Sequence, residues 1–204
     1  VPKADYHTVA IEATQIQKDF VASCGERAER IRNGSVDPRK DNMLKITNDG
    51  RKIALDQRLE NPLFPDDETS KVNQCFNNVY RIWEENKESR ATQLVFCDMS
   101  TPKNDGSFSV YNDIRDKLLK KGVPENEIAF IHNADSEAKK KDLFSKVRKG
   151  DVRILFGSTS KMGAGTNVQK RLIASHDLEC PWRPADLEQR AGRIIRQGNT
   201  NEEV

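Results

Sequence analysis

From residue 69 onward, strand-like apolar runs alternate with amphipathic helical segments, and this alternation limits the fold more than any other feature of the chain. The strand candidates are residues 93–98, 127–132, 152–156 and 172–176. A helix opens near Thr69 or Ser70, with Val72, Phe76, Val79 and Ile82 or Trp83 on its apolar face. Residues 110–121 follow with Tyr111, Ile114, Leu118 and Leu119 inward, then 137–148 with Leu143, Phe144 and Val147 inward, and finally 184–196. Strands separated by helices return in the same direction, so the expectation is an α/β fold whose mostly parallel sheet is covered by helices on both faces. Ligands of such sheets sit at the carboxyl ends of the strands, and residues 158–167 directly follow one.

The first 68 residues read as a helical extension and linker, leaving 69–204 as the α/β domain. Val9, Ile16, Phe20, Cys24, Ala28 and Ile31 recur at helical steps and predict one long helix over 8–33. Asn48-Asp49-Gly50 predicts a turn followed by a short basic helix, and Pro62 and Pro65 mark a linker.

With 34 basic and 32 acidic side chains, the formal net charge is only +2, so any basic surface must be local. No apolar run is long enough to span a bilayer and no signal-peptide pattern opens the chain, so a cytoplasmic protein without a membrane partner is expected. Cys24, Cys75, Cys97 and Cys180 form no C-x-x-C pair, and His7, His132 and His176 are scattered. A structural zinc site needs four clustered ligands, so no metal site is expected and the cysteines read as buried reduced thiols.

Chemistry concentrates between Ser158 and Asn199. On the last helix, Gln189, Gly192, Arg193 and Arg196 fall at i, i+3, i+4 and i+7 and form one stripe, opposite Leu187, Ala191, Ile194 and Ile195, which can face the core. Pro184 suits the first turn, where Asp186 complements the dipole. A guanidinium stays charged and can hold two phosphate oxygens at once, which makes Arg193 and Arg196 candidates for a nucleotide site. The loop Gly163-Ala164-Gly165-Thr166-Asn167 offers little side-chain bulk, so a phosphate or ribose can approach its backbone. Thr159, Ser160 and Lys161 suit nucleic-acid phosphates.

Half of such a site is missing. None of the eleven glycines is followed by lysine, so there is no P-loop, and no G-x-G-x-x-G occurs. The only Asp-Glu pair, Asp67-Glu68, lies in the proline-flanked linker instead of at the end of an apolar strand. The chain is therefore expected not to complete an ATPase site by itself.

Gln189-x-x-Gly192-Arg193-x-x-Arg196 resembles the sixth motif of superfamily-two helicases, and Ser158-Thr159 through Gly163-Ala164-Gly165-Thr166-Asn167 resembles their fifth. Within that superfamily the Swi/Snf group of DNA-translocating ATPases fits best. Trp182-Arg183-Pro184 matches its Trp-x-Pro, Thr69-Ser70-Lys71 its Ser-x-Lys with threonine for serine, and Leu94-Val95-Phe96-Cys97-Asp98 its strand near the fourth motif. The likeness covers residues 69–199. It departs at Ile195-Arg196-Gln197-Gly198-Asn199, where the group has His-Arg-Ile-Gly-Gln, and at Met162 with its polar neighbours. Residues 41–44 and 49–56 are similar to sequence in helicase–methylase fusion proteins of phages and mobile elements.

The resemblance implies a second RecA-like lobe acting with an N-terminal RecA-like lobe of the same polypeptide, which would bring the P-loop and hold magnesium. Arg193 and Arg196 would then be arginine fingers on ATP, and Gln189 would orient the helix or the nucleotide. Gly163 would line the nucleotide site, and Gly165 and Asn167 would couple nucleotide to DNA. Double-stranded DNA would lie near Ser100, Thr101, His132, Thr159, Ser160 and Lys161, although His132 is as readily a core or surface histidine. A fused DNA methylase is a further implied partner. Two rival readings share the same fold: a non-enzymatic nucleic-acid-binding module, and a scaffold whose basic 139–149 region binds a protein.

Overall fold

The computed structural model describes residues 1–162 and 166–204, which divide into two compact units, one formed by residues 10–72 and the other by residues 1–9 with 73–204. Among the described residues the second unit contains one four-stranded sheet, made of β1 (Thr92–Phe96), β2 (Ile128–Phe130), β3 (Ile154–Gly157) and β4 (Leu172–Asp177) in the order β2-β3-β1-β4. Every pairing is parallel. The expected α/β architecture is the one observed.

Helices cover both faces of that sheet. Leu94, Phe96 and Leu155 point to one side, where they join Val147 of α5 (Glu137–Lys149) and Ile194 of α6 (Pro184–Ile194) in a common apolar cluster. Val95, Ile154 and Phe156 alternate to the other side. There Tyr111 of α4 (Val110–Lys120) stacks at a tilt on Phe156, with ring centroids 5.5 Å apart, and Gln93 Nε2 donates to the Val79 carbonyl of α3 (Lys71–Glu85) at 2.9 Å. Tyr111, Ile114 and Leu118 are fully buried, as their spacing requires.

Two glycines are needed for close approach. Gly150 ends α5 at φ 82°, and a Cβ there would meet the Arg90 carbonyl at 2.8 Å. Gly157 leaves room for Met162, whose Cγ would lie 2.3 Å from an added Cβ. That space is what lets Met162, one of the departures from the family pattern, fill the core beside Ile131.

The amino ends of β1 and β3 are tied by a buried polar knot. Arg153 Nε donates to the Ala91 carbonyl and Nη2 to the Trp83 and Asn86 carbonyls, while Trp83 Nε1 donates to Glu127 at 2.7 Å. These groups exchange water for fixed partners, which spares each the cost of an unpaired buried charge.

On the α3 face, the Gln93 carboxamide has its donor committed to Val79, so its Oε1 accepts from His176 Nε2 at 2.9 Å. Burial, with Arg81 nearby, pushes the His176 pKa from 6.5 down to about 4. Between those values the unfolded chain binds more protons than the folded one. The neutral ring therefore contributes full stability above pH 6.5 and loses it as the pH falls toward 4, a change of up to about 3 kcal/mol. Urea denaturation across that window is expected to show this slope in the natural chain and a flatter one in His176→Gln; equal slopes would contradict the assignment.

The unit of residues 10–72 differs from expectation in two places. The first helix, α1 (Gln15–Arg32), starts seven residues later than the apolar periodicity suggests. The Thr14 side chain accepts from the Gln17 backbone N–H and the Gln17 side chain accepts from that of Thr14, so two otherwise free donors are satisfied there. Residues 3–5 instead pair with the carboxyl terminus through Lys3, Asp5, Glu202 and Val204. The predicted turn at Asn48-Asp49-Gly50 is absent, because one helix, α2 (Met43–Leu55), runs through it. Burial of Ile46, Ile53 and Leu55, together with the Arg27 contacts to Asp41 and Asp49 at 2.7 and 3.0 Å, outweighs the roughly 1 kcal/mol that an internal glycine costs.

Candidate nucleotide and nucleic-acid interface

The loops after β1, β2 and β3 and the end of β4 meet at one end of the sheet, where a single side chain from α6 ties three of them together. Arg190 is 1% exposed. Its Nη2 donates to Asp98 at 2.7 Å, its Nη1 to Asp177 at 2.8 Å, and its Nε and Nη2 to the Thr159 hydroxyl at 2.9 and 2.8 Å. Thr159 in turn donates its backbone N–H and its hydroxyl to Asp98 at 2.6 and 2.8 Å. The guanidinium also lies 5.0 Å from the centroid of the Phe96 ring. Burial works against its charge, but Asp177 and Asp98 outweigh burial and leave its pKa above the ordinary value.

Sequence reasoning missed Arg190. It gave the inward side of α6 to apolar residues, and Ile194 is indeed buried there. The available signal was the position one residue after Gln189, on the flank between the polar stripe and the apolar face. Glu179 was missed as well. Its carboxylate accepts from the backbone N–H of Asp98, and from that of Met99 at 3.2 Å, and burial raises its pKa. With Arg190 it fixes the path of the chain leaving β1.

The expected stripe is present in part. Pro184 opens α6 and Asp186 lies in its first turn. Gln189 is exposed and Arg193 half-buried on the outer side. Arg196 lies just beyond the helix, which ends at Ile194, because the Arg196 N–H donates to the Ile194 carbonyl at 2.9 Å. The two arginines remain close enough to interact. Burial, then the neighbouring Arg196 charge, lowers the Arg193 pKa. Among the described residues neither makes an ion pair with a carboxylate. Two adjacent guanidiniums without a counter-charge form a receptive site for an anion.

Gly163 and Gly165 lie outside the described residues. Asn167 is exposed, and its carbonyl accepts from Arg148 Nη1 at 2.7 Å. Of the residues expected near nucleic acid, Thr101, His132, Thr159, Ser160 and Lys161 follow β1, β2 and β3 and gather at the same end of the sheet. Lys161 and Ser160 are exposed. His132 is half-buried in a T-shaped contact with Tyr111, and burial followed by the Lys161 charge lowers its pKa. Among the described residues its buried Nδ1 has no hydrogen-bond partner. The hydroxyl of Thr159 is committed to Asp98 and Arg190, leaving Ser160 and Lys161 as that loop's outward groups. Ser100 is 3% exposed, and its Oγ accepts from the Val110 N–H at 2.8 Å, so it holds the start of α4.

Burial of the thiols is a partial correction. Cys75 and Cys97 are buried, but Cys24 is intermediate and Cys180 exposed. Burial pushes Cys75 up to about 12 and Cys97 well above its ordinary value, so both are inert. Among the described residues no group of three or more His, Cys, Asp or Glu side chains is placed to hold a metal. No described helix is long and apolar enough to cross a membrane.

Comparison with known proteins places these features in context. The helicase conserved C-terminal domain matches residues 71–198, which include the whole sheet and α6. The C-terminal part of the Fun30 ATPase domain is similar at 18% identity and a TM-score of 0.46, covering 72% of this chain and 44% of that one. The Hef helicase domain of Pyrococcus furiosus is similar at 14% identity and a TM-score of 0.42, covering 90% of this chain and 34% of that one. The chain thus spans less than half the length of either structure. No curated protein sequence matches it.

Proposed function

The chain belongs to the family of the helicase conserved C-terminal domain, and from that premise we propose that it is the second RecA-like lobe of an ATP-dependent, Swi/Snf-type DNA translocase. The observation that carries this reading is the pair Arg193 and Arg196: adjacent cations with no carboxylate partner among the described residues, on a chain that has no P-loop. Such a pair serves a triphosphate only when another lobe presents it. Arg193 and Arg196 then neutralise charge that develops on the phosphates in the transition state. Gln189, exposed one turn earlier, orients the nucleotide or the helix, and Gly163, Gly165 and Asn167 line the same cleft.

The duplex backbone lies across Thr101, His132, Ser160 and Lys161. Arg190 and Thr159 act as positioning residues that fix these loops relative to α6, so closure of the cleft on ATP moves the DNA-contacting end with the arginines. Ser100 contributes indirectly, by holding α4. Magnesium would be held by the partner lobe. Trp182-Arg183-Pro184 and Thr69-Ser70-Lys71 support the Swi/Snf assignment, and residues 41–44 and 49–56 support a place in a helicase–methylase fusion. The test is ATP turnover by the chain alone and joined to a lobe that carries a P-loop.

A further inference from the structure

A second anion-receptive feature lies at the opposite end of the strands. The last turn of α5 and the 3-10 turn at Gln169–Arg171, just before β4, flank an open surface cavity of about 330 Å³ lined by Ser145, Arg148, Lys149, Lys170 and Arg171. Four of these five side chains are cationic and none is a carboxylate. Strands of this length place the cavity roughly 13–20 Å from the Asp98–Thr159–Arg190 end. Among the described residues it adjoins those of the nucleotide site only through backbone carbonyls, that of Asn167, which accepts from Arg148, and that of Gln197, which accepts from Gln169 Nε2 at 3.1 Å.

The guanidiniums are anchored without being neutralised. Arg148 Nη1 donates to the Asn167 carbonyl and Arg171 Nη1 to the Ser89 carbonyl, each at 2.7 Å. Among the described residues neither meets a carboxylate, and Arg171 Nε is buried with no acceptor. Lys149 and Lys170 are exposed and make no ion pair among the described residues, whereas Lys146 one turn earlier is paired with Asp142 at 2.7 Å. Basic residues in the last turn of a helix complement its dipole, and that accounts for Lys149. It does not account for Lys170 and Arg171, which a different element brings to the same cavity.

From this convergence we infer that the cavity is a binding site for phosphate groups, built from Arg148, Lys149, Lys170 and Arg171, none of which belongs to the ATP-facing set. Two hydrogen-bonded guanidiniums form its wall and two exposed ammoniums its rim, a combination suited to a phosphodiester of a nucleic-acid backbone or to a free pyrophosphate. The inference rests on this cavity alone and does not depend on the motor-lobe reading.

The test uses the whole chain and two probes, a short duplex DNA and inorganic pyrophosphate. Lys149→Glu/Lys170→Glu is compared with Lys139→Glu/Lys141→Glu, which changes the net charge equally at exposed positions on the far end of α5. The cavity variant is expected to weaken binding of at least one probe by about tenfold or more, and in the duplex arm to reduce the slope of log affinity against log salt by about two. The control variant is expected to stay near the natural chain. Loss in the duplex arm identifies a nucleic-acid backbone as the ligand, and loss in the pyrophosphate arm identifies a free phosphate compound. Absence of binding to both probes, or an equal loss in the control, would overturn the inference.

Discussion

Replacing Arg193 by alanine in the protein that carries both lobes is expected to lower ATP turnover by about three to five orders of magnitude, roughly 4 to 7 kcal/mol of barrier, while ATP binding largely persists. The asymmetry follows from where the charge acts. A partner P-loop would supply ground-state binding, whereas Arg193 meets the charge that grows on the phosphates as the bond breaks. Its half-buried position and its neighbour Arg196 make its protonated form costly in the empty lobe. An arriving phosphate relieves that cost, so the interaction strengthens when negative charge increases. Turnover that survives Arg193→Ala, measured together with nucleotide affinity, would remove the residue from this role.

The second large effect concerns a residue that touches no ligand in the proposal. Arg190→Met is expected to destabilise the lobe by about 3 kcal/mol, at the lower end of the cost of breaking a buried ion pair. The lower end applies because the partners, Asp98 and Asp177, are 31% and 37% exposed and can recover water once the arginine is gone. Arg190→Lys keeps the charge but cannot reach Asp98, Asp177 and Thr159 together, so it should fall between Met and the natural residue. Chemical denaturation of the two variants checks the order. A change within about 0.5 kcal/mol for methionine, typical of a surface site, would mean that the network is not holding the loops.

The sheet and its helices were legible because each strand is a short apolar run bounded by polar turns and each helix carries its own apolar stripe. Gln189 and Arg193 share a face because they are four residues apart on α6, whereas Arg196 falls beyond the helix end at Ile194, which the spacing alone does not show. Arg190 was not legible, since a charged residue beside an apolar face reads as solvated until its partners are known. Those partners, Asp98, Thr159 and Asp177, are distant in sequence and meet only when β1, β3 and β4 align. The burial of Ser100 was hidden for the complementary reason: a hydroxyl in a loop looks available until the Val110 N–H that it accepts from is in place. The start of α1 and the helix through Gly50 show local signals being overruled, one by a capping box and the other by burial of Ile46, Ile53 and Leu55. The cavity at Lys149 and Lys170 joins elements twenty residues apart in sequence, so no local pattern announces it.

The central claim is that this lobe holds one half of an ATPase site and depends on another lobe for the rest. It is tested most directly by chelator-sensitive ATP hydrolysis, measured for the chain alone and for the same chain joined to a lobe with a P-loop. The account predicts no turnover by the chain alone, turnover when the lobes are joined, and its loss again with Arg193→Ala. ATP hydrolysis by the purified chain alone, or joined lobes indifferent to Arg193, would contradict it.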